Sequence, residues 1–182
     1  MKATGIVRRI DELGRVVIPK EIRRTLRIRE SDPLEIFTDR EGEIILKKYS
    51  PIGELSTFAK QYAECLSQVS GCLACVCDMD QIIAVAGTGK KEFQDQYISM
   101  ELQRVLEKRG MISANNSEKT FVSITNGQQE DYVWEMIAPI ICEGDVVGGV
   151  ILLSKDSKKK MSEVEQKISA CAARFLGKQM EQ

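Results

Sequence analysis

Basic residues crowd the start of the chain: the first 29 positions hold nine lysines and arginines against three acidic residues, a local charge of +6. Clustered guanidinium and ammonium groups pair with phosphate-type anions whatever the net charge of the whole chain. This pattern indicates a polyanion-binding face, and charge alone leaves a plain solvated surface as the alternative. The nine residues are Lys2, Arg8, Arg9, Arg15, Lys20, Arg23, Arg24, Arg27 and Arg29.

The rest of the chain carries the opposite charge. Residues 1–50 contain 12 basic and 9 acidic residues, and residues 51–182 contain 14 and 18, so the net charge of −1 conceals a basic module followed by an acidic body. Phe37 and Tyr49 are the aromatic residues of the first fifty, and neither lies in the basic stretch. Stacking of single-stranded bases is therefore disfavoured. Phosphate contacts, with guanidinium contacts to the base edges of a duplex, fit better.

Cysteine is the other residue type that could do chemistry. Cys72, Cys75 and Cys77 are spaced like metal ligands, and Cys65 or Cys142 could complete a set of four. If residues 72–78 form a strand, however, Cys75 and Cys77 face one side and Cys72 the other. We therefore expect buried free thiols and no metal or cofactor. A thiol sensor, a zinc site and a redox enzyme remain less favoured alternatives.

Composition excludes much catalytic chemistry. The chain contains no histidine, which rules out a Ser-His-Asp triad, a Cys-His pair and an HExxH zinc site. The carboxylate pairs Asp78 with Asp80 and Glu130 with Asp131 fall in predicted turns, so we expect no enzyme. The apolar run 146–153 is too short to cross a bilayer and the start lacks a signal peptide, which predicts a cytoplasmic protein without membrane contact.

The first fifty residues read as a ββαββ unit. Strands are predicted at 5–10, 15–18, 34–38 and 43–49, with a helix opened by Pro19 whose residues Lys20, Arg23, Arg24 and Arg27 share one face. A unit this small buries too little apolar surface to be secure alone. We therefore predict a dimer, whose two-fold axis would suit duplex DNA.

The remainder reads as a second α+β domain. Helical periodicity runs from Leu55 to Val69 and stops at Gly71, and a capping-box pattern at Ser162 and Glu165 opens a last helix. Between them we predict strands at 72–78, 81–86, 120–125, 132–141 and 146–154, and a mainly helical segment at 90–108. Trp134 and Met136 are interpreted as sheet core. The terminal helices are long enough to pair with each other or with a second subunit.

The run from Lys2 to Leu26, with its Asp-Glu-Leu-Gly turn, Gly-Arg-Val-Val-Ile-Pro strand and Arg-Arg helix, resembles the AbrB-like transition-state regulators of spore-forming bacteria. The resemblance implies a swapped-hairpin β-barrel dimer that binds DNA. The positions matching its DNA-contacting arginines are Arg8, Arg15, Arg23 and Arg24, with Lys2 and Arg9 as further candidates.

Segments 47–51, 148–156 and 175–182 extend the resemblance along the whole chain, to the stage V sporulation protein T family. It implies an AbrB-like DNA-binding domain over 1–50 and a GAF-like regulatory and oligomerisation domain over 51–182. It further implies a nucleoid-associated forespore regulator, activator or repressor, and a homotetramer built by the terminal helices. Whether the GAF-like domain has a small-molecule ligand is left open, as is which promoters are bound.

Two other function classes compete with a DNA-binding regulator. The N-terminal fold also serves antitoxins, although these usually carry a disordered tail and residues 51–182 read as folded. One GAF-type group reduces methionine sulfoxide with cysteines, a role for which Cys72, Cys75 and Cys77 are the candidates.

Overall fold

The chain divides into two units, residues 1–49 and residues 50–182. The computed structural model describes residues 5–127 and 131–181, so the predictions that involve Lys2 and Glu130 lie outside the described residues. No helix in the described ranges is both long enough and apolar enough to cross a membrane.

The first unit contains one short helix and one hairpin. Helix α1 spans Lys20–Thr25, and strands β1 (Leu34–Thr38) and β2 (Ile44–Lys48) pair antiparallel with Ile36 opposite Leu46. Pro19 precedes the helix as predicted, because its missing N–H costs nothing there. The helix ends earlier than predicted: Arg27 has a φ of 53°, so it does not share the helical face of Arg23 and Arg24.

The predicted strands at 5–10 and 15–18 are absent from the single chain. The turn between them forms, since the N–H of Asp11 donates to the carbonyl of Arg15 at 3.0 Å and that of Gly14 donates to the carbonyl of Asp11 at 3.0 Å. A strand needs a continuous neighbour for its backbone groups, and neither segment forms a strand within the described residues.

The second unit is a five-stranded antiparallel sheet of order β4-β3-β7-β6-β5, preceded by a short helix α2 (Pro51–Glu54). A single turn of 3₁₀ helix, Lys90–Glu92, follows the first hairpin. The strands are β3 (Leu73–Asp78), β4 (Ile82–Ala86), β5 (Ile112–Asn115), β6 (Trp134–Cys142) and β7 (Asp145–Ser154). The long helices are α3 (Ser56–Ser70), α4 (Met100–Glu107) and α5 (Glu163–Gln179).

Helices cover both faces of this sheet. On one face, small residues of α3 and α5 such as Ala63 and Ala172 pack on Val76, Met136 and Leu152. On the other face, Leu102 and Leu106 of α4 pack with Cys75, Ile137 and Ile151. The sheet is therefore buried on both sides. Successive side chains along a strand alternate between the two hydrophobic clusters instead of between a core and solvent.

Helix ends follow the predicted signals. Gly71 ends α3 with a φ of 64°, a conformation that glycine adopts without strain. Ser162 caps α5, its side chain accepting from the N–H of Val164 while the carboxylate of Glu165 accepts from the N–H of Ser162.

Two predictions for the middle of this unit need correction. The helical segment predicted at 90–108 is divided into Lys90–Glu92 and Met100–Glu107, because the chain turns at Asp95 (φ 57°) and the carbonyl of Gln96 accepts from the N–H of Ile82 at 2.9 Å. Residues 120–125 form no strand, because the N–H groups of Val122 and Ser123 donate to side chains instead of a ladder. The sequence also missed β5, a short edge strand.

The chain enters the second unit through a fixed residue. Ser50 donates its hydroxyl to a carboxylate oxygen of Asp78 at 2.7 Å and accepts from the N–H of Gly53 at 3.1 Å. The other oxygen of Asp78 accepts from the N–H groups of Asp80 and Gln81, both at 2.7 Å. One carboxylate thus joins residue 50 to the turn between β3 and β4.

Candidate nucleic-acid interface

Helix α1 carries the most accessible of the candidate residues. The side chains of Arg23 and Arg24 are exposed in its last turn. Neither guanidinium group forms an ion pair with any residue in the described ranges, so both keep their full hydrogen-bonding capacity for an external anion.

Arg15 is held by the turn that precedes it. The carboxylate of Asp11 accepts from the N–H of Leu13 at 3.0 Å, the N–H of Arg15 at 2.8 Å and Nε of Arg15 at 2.9 Å. The backbone and side-chain hydrogen bonds from Arg15 lower the pKa of Asp11, although burial opposes them. The Arg15 side chain remains 70% exposed, so Asp11 orients it without hiding its terminal nitrogens.

Arg8 and Arg9 are exposed in the segment without regular structure. Nη1 of Arg8 donates to the carbonyl of Val7 at 3.4 Å. The structure thus places Arg8, Arg9, Arg15, Arg23 and Arg24 on the surface of one small unit, each with its charge accessible.

One basic residue of the unit has a structural task instead. Nζ of Lys48 lies 2.9 Å from Asp32 and 3.1 Å from the carbonyl of Arg27. Burial favours the neutral acid, but the N–H of Arg29 and the Lys48 ammonium outweigh it and lower the pKa of Asp32. Lys48 therefore fastens β2 to the end of α1.

The same unit exposes a large apolar surface. Val7 is 85% exposed, Val17 72%, Ile44 68% and Ile36 66%. Strands β1 and β2 carry apolar side chains on both faces: Ile36 opposite Leu46 on one, Phe37 opposite Ile45 on the other. A lone two-stranded hairpin is marginal in water, and contiguous apolar surface marks an interaction site.

The cysteines in and next to β3 divide between the two faces of the sheet as the strand period predicts. Cys72 lies in the core under α3 and α5, whereas Cys75 and Cys77 lie in the core under α4. Burial raises the pKa of both Cys75 and Cys77 far above the ordinary thiol value. These thiols stay neutral at physiological pH, and they do not converge with Cys72 on a common point.

An open groove runs along the free edge of β4. It has a volume of about 500 Å³ and lies between that strand, the start of α3 and the segment after the 3₁₀ turn. Lys60 and Lys90 both line it, and both are exposed. The groove has room for a small molecule.

A buried carboxylate lies beneath α4, and the sequence did not predict it. Glu135 is fully buried on β6; one carboxylate oxygen accepts from the N–H of Val122 at 3.0 Å, and the other has no partner among the described residues. Burial raises the pKa of Glu135 to about 8 despite the Val122 hydrogen bond, with a smaller contribution from Glu101. No sequence signal marks it, since a polar residue alternating with Trp134 and Met136 is typical of an exposed strand face.

Replacing Glu135 by glutamine is expected to stabilise the fold at pH 8. In the folded wild type, the Glu135 carboxyl keeps its proton up to about pH 8, whereas in the unfolded chain it loses the proton above about pH 4.5. The free energy of unfolding therefore falls as pH rises from about 4.5 to about 8. Glutamine keeps an oxygen that can accept from the N–H of Val122. Because glutamine does not ionise, the loss of stability with rising pH disappears. We expect a gain on the order of 2–4 kcal/mol at pH 8 and almost none at pH 4.

Urea unfolding of both proteins between pH 4 and pH 9 measures this effect. Glu107→Gln, on the exposed side of α4, is the matched control and should leave the pH profile unchanged. Parallel profiles for wild type and Glu135→Gln would contradict the assignment.

Comparison with known proteins gives this arrangement a context. A family model described as "Stage V sporulation protein T C-terminal, transcription factor" matches residues 54–181, and one described as "Antidote-toxin recognition MazE, bacterial antitoxin" matches residues 7–54. Stage V sporulation protein T of Bacillus subtilis is 53% identical over 182 residues, which is all of both chains.

Two partial relatives correspond to the two units. The transition state regulatory protein AbrB of Bacillus subtilis is 71% identical over 51 residues, 28% of this chain and 52% of that protein. The cofactor-binding GAF domain of the nutrient sensor CodY from Clostridium difficile superposes with a TM-score of 0.53 at 14% identity, covering 66% of this chain and 83% of that one. The latter likeness establishes a GAF-like fold, as the sequence predicted.

Proposed function

The chain belongs to the stage V sporulation protein T family of transcription factors, and from this premise we propose that residues 1–50 bind duplex DNA as a swapped-hairpin dimer. The observation that carries the proposal is a small unit whose candidate arginines in the described residues are exposed and whose hairpin strands expose apolar side chains. Arg8, Arg15, Arg23 and Arg24 are the proposed contacts, with Lys2 and Arg9 as further ones.

A second copy accounts for the exposed apolar surface. Segments 5–10 and 15–18 need strand neighbours, and the two faces of the β1–β2 hairpin need apolar ones. Interlocking two chains would supply both at once and place two copies of α1 about a two-fold axis, the symmetry of a DNA half-site pair. This dimer is the arrangement predicted from the small size of the unit.

Guanidinium groups are well suited to contacting duplex DNA. Arginine makes paired hydrogen bonds to phosphate oxygens and to the acceptor edge of guanine, so one residue type supplies both anchoring and base recognition. Arg15, held by Asp11, enters with part of its orientation already fixed, which reduces the entropy lost on binding.

Fluorescence anisotropy of the full-length protein with labelled DNA tests the proposal. We expect duplex DNA to bind well above single-stranded DNA of the same length, and log Kd to rise linearly with log salt concentration as phosphate contacts release counterions. Equal affinity for single and double strands, or no dependence on salt, would contradict it.

For residues 51–182 we propose a sensing and assembly role. The groove beside β4 is the candidate ligand site, and its two lysines, Lys60 and Lys90, against one carboxylate at Asp95, favour an anionic small molecule. Assembly rests on α3 and α5, which lie side by side with the rings of Tyr62 and Phe175 4.9 Å apart. Each helix carries exposed or half-buried residues spaced four, three and four apart.

We call these residues the outer seam. Such spacing is the signature of helices that pack against further helices. Phe58 and Val69 of α3 and Val164 of α5 are 43%, 71% and 59% exposed, too apolar to be left in water. A second copy of the helix pair would complete a four-helix bundle and join two dimers into a tetramer. The outer seam consists of Phe58, Tyr62, Cys65 and Val69 on α3 and Val164, Ile168, Cys171 and Phe175 on α5.

Introducing a charge into the outer seam is expected to dissociate the tetramer into dimers. Val69→Glu would bury an unpaired carboxylate at the bundle interface and weaken association by on the order of a hundredfold or more. Gln68→Glu adds the same charge next to the seam, on an exposed position, and should leave the assembly intact. Sedimentation velocity distinguishes the two, and a Val69→Glu tetramer as stable as the wild type would exclude the seam.

Other roles have less support. The match of residues 7–54 to an antitoxin family concerns the N-terminal fold, but residues 50–127 and 131–181 fold as a domain rather than as a tail that wraps a toxin. We propose no catalytic activity, and an assay with free methionine sulfoxide should give no turnover. A cytoplasmic, nucleoid-associated location in the forespore follows from the proposed DNA binding and from the family.

A further inference from the structure

The outer seam contains two exposed cysteines, one on each of its helices. Helices α3 and α5 run antiparallel, because Gly71 at the end of α3 is beside Lys159, which precedes α5. Cys65 comes three residues after Tyr62, and Cys171 comes four before Phe175. Both thiols are therefore displaced from the Tyr62–Phe175 contact in the same direction, by about 4.5–6 Å, and lie at one level.

Both cysteines are exposed in the single chain.

The thiols form the central layer of the seam. In order along the helix pair, the layers hold Phe58, then Tyr62 with Phe175, then Cys65 with Cys171, then Val69 with Ile168, and last Val164. A two-fold axis through the middle layer brings each aromatic layer against an aliphatic one, large against small, which is how packed layers interdigitate. The same axis places the two cysteine layers against each other.

We propose that two copies paired through the outer seam form a four-thiolate site for a soft divalent cation of the Zn²⁺ class, with Cys65 and Cys171 of each copy as the ligands. This inference rests on the tetramer proposed above. Four cysteine thiolates at tetrahedral positions are a closed, structural type of zinc site, and thiolates select soft cations over Mg²⁺ or Ca²⁺.

The chemistry is an exchange of protons for metal. Four thiols release four protons as one Zn²⁺ forms four Zn–S bonds, and no electron is transferred. Without metal the neutral thiols pack as small apolar groups, so the bundle does not depend on the cation to fold. Metal occupancy then adds to the free energy that holds two dimers together.

A single chain cannot provide this site. Within the described residues of one chain, no three His, Cys, Asp or Glu side chains are grouped to hold a metal ion. Cys75 and Cys77 are buried under α4, away from the surface that carries the seam. The site exists only where two copies meet, which makes it a reporter of that contact.

Native mass spectrometry of the full-length protein, kept reduced with a phosphine and loaded with Zn²⁺, tests the proposal. We expect a tetramer that retains one Zn²⁺ for every two chains, and a competing chelator should show binding at least a hundredfold tighter than in Cys65→Ser/Cys171→Ser. Co²⁺ in place of Zn²⁺ should give the sulfur-to-cobalt charge-transfer bands of a tetrahedral tetrathiolate. Cys142→Ser, a cysteine outside the seam, is the control and should bind as the wild type does.

The outcomes separate the site from the assembly. A tetramer that retains no metal, or a double variant that keeps it, overturns the thiolate site and leaves the tetramer standing. A protein that remains a dimer with or without Zn²⁺ overturns the proposed assembly together with the site.

Discussion

Replacing Arg23 and Arg24 together by alanine is expected to lower the affinity for duplex DNA by at least about a hundredfold. In a two-fold dimer the change removes four guanidinium groups from the proposed binding face. Each lost phosphate contact should also flatten the slope of log Kd against log salt concentration by roughly 0.9. Fluorescence anisotropy over a series of salt concentrations measures both quantities on the full-length protein.

Two further variants make this experiment specific. Arg40→Ala removes one positive charge per chain from the exposed turn between β1 and β2 and should change affinity little. Arg23→Lys/Arg24→Lys keeps the charge but not the paired hydrogen bonds, so it should keep the salt slope while losing discrimination between sequences. If the alanine variant bound with the affinity and slope of Arg40→Ala, helix α1 would not contact DNA.

Gly148→Ala is expected to destabilise the second unit by about 3 kcal/mol or more. Gly148 lies inside β7 opposite Asp78, and an added Cβ would clash with the carbonyl oxygen of Cys77. It would also lie 2.5 Å from Cδ1 of Ile52 and 3.0 Å from Cα of Asp78. A backbone carbonyl in the middle of a sheet cannot move aside without breaking its own ladder.

Thermal or urea unfolding monitored by circular dichroism measures this loss. Gly110→Ala makes the same substitution where no atom lies within 4 Å of the added carbon, so it should be neutral or slightly stabilising. A Gly148→Ala protein as stable as Gly110→Ala would mean that β3 and β7 are farther apart than described.

Local signals in the sequence were enough for the elements that depend on local chemistry. The hairpin strands predicted at 34–38 and 43–49, observed at 34–38 and 44–48, the helix stop at Gly71 and the cap at Ser162 were all predicted, because turn residues and caps act within a few positions of themselves. The opposite orientation of Cys72 and Cys75 was likewise correct, since it follows from the two-residue period of any strand.

Elements that depend on distant partners were the ones missed. Residues 120–125 have strand-like composition, but carboxylates of Glu101 and Glu135 take the N–H groups that a ladder would use. Segments 5–10 and 15–18 also have strand-like composition, but neither forms a strand within the described residues of one chain. Composition indicates a preference, whereas pairing requires a neighbour.

The candidate interface was predictable in kind but not in detail. Charge clustering and the family resemblance identified the arginines, while the displacement of Arg27 from the helical face depends on a backbone turn that charge does not reveal. The buried Glu135 gave no signal, because a strand between two helical layers has no solvent face. The matching height of Cys65 and Cys171 along the two helices was not predicted, because it depends on the antiparallel packing of helices more than one hundred positions apart.

The hydrogen bond from Ser50 to Asp78 holds the first residue of the second unit in place. The same carboxylate holds the turn that leads into β4, and β4 lines the groove beside α3. Residue 50 is therefore coupled directly to the turn between β3 and β4, so a displacement of that turn also displaces the first residue of the unit. A residue without this hydrogen bond would not follow the turn.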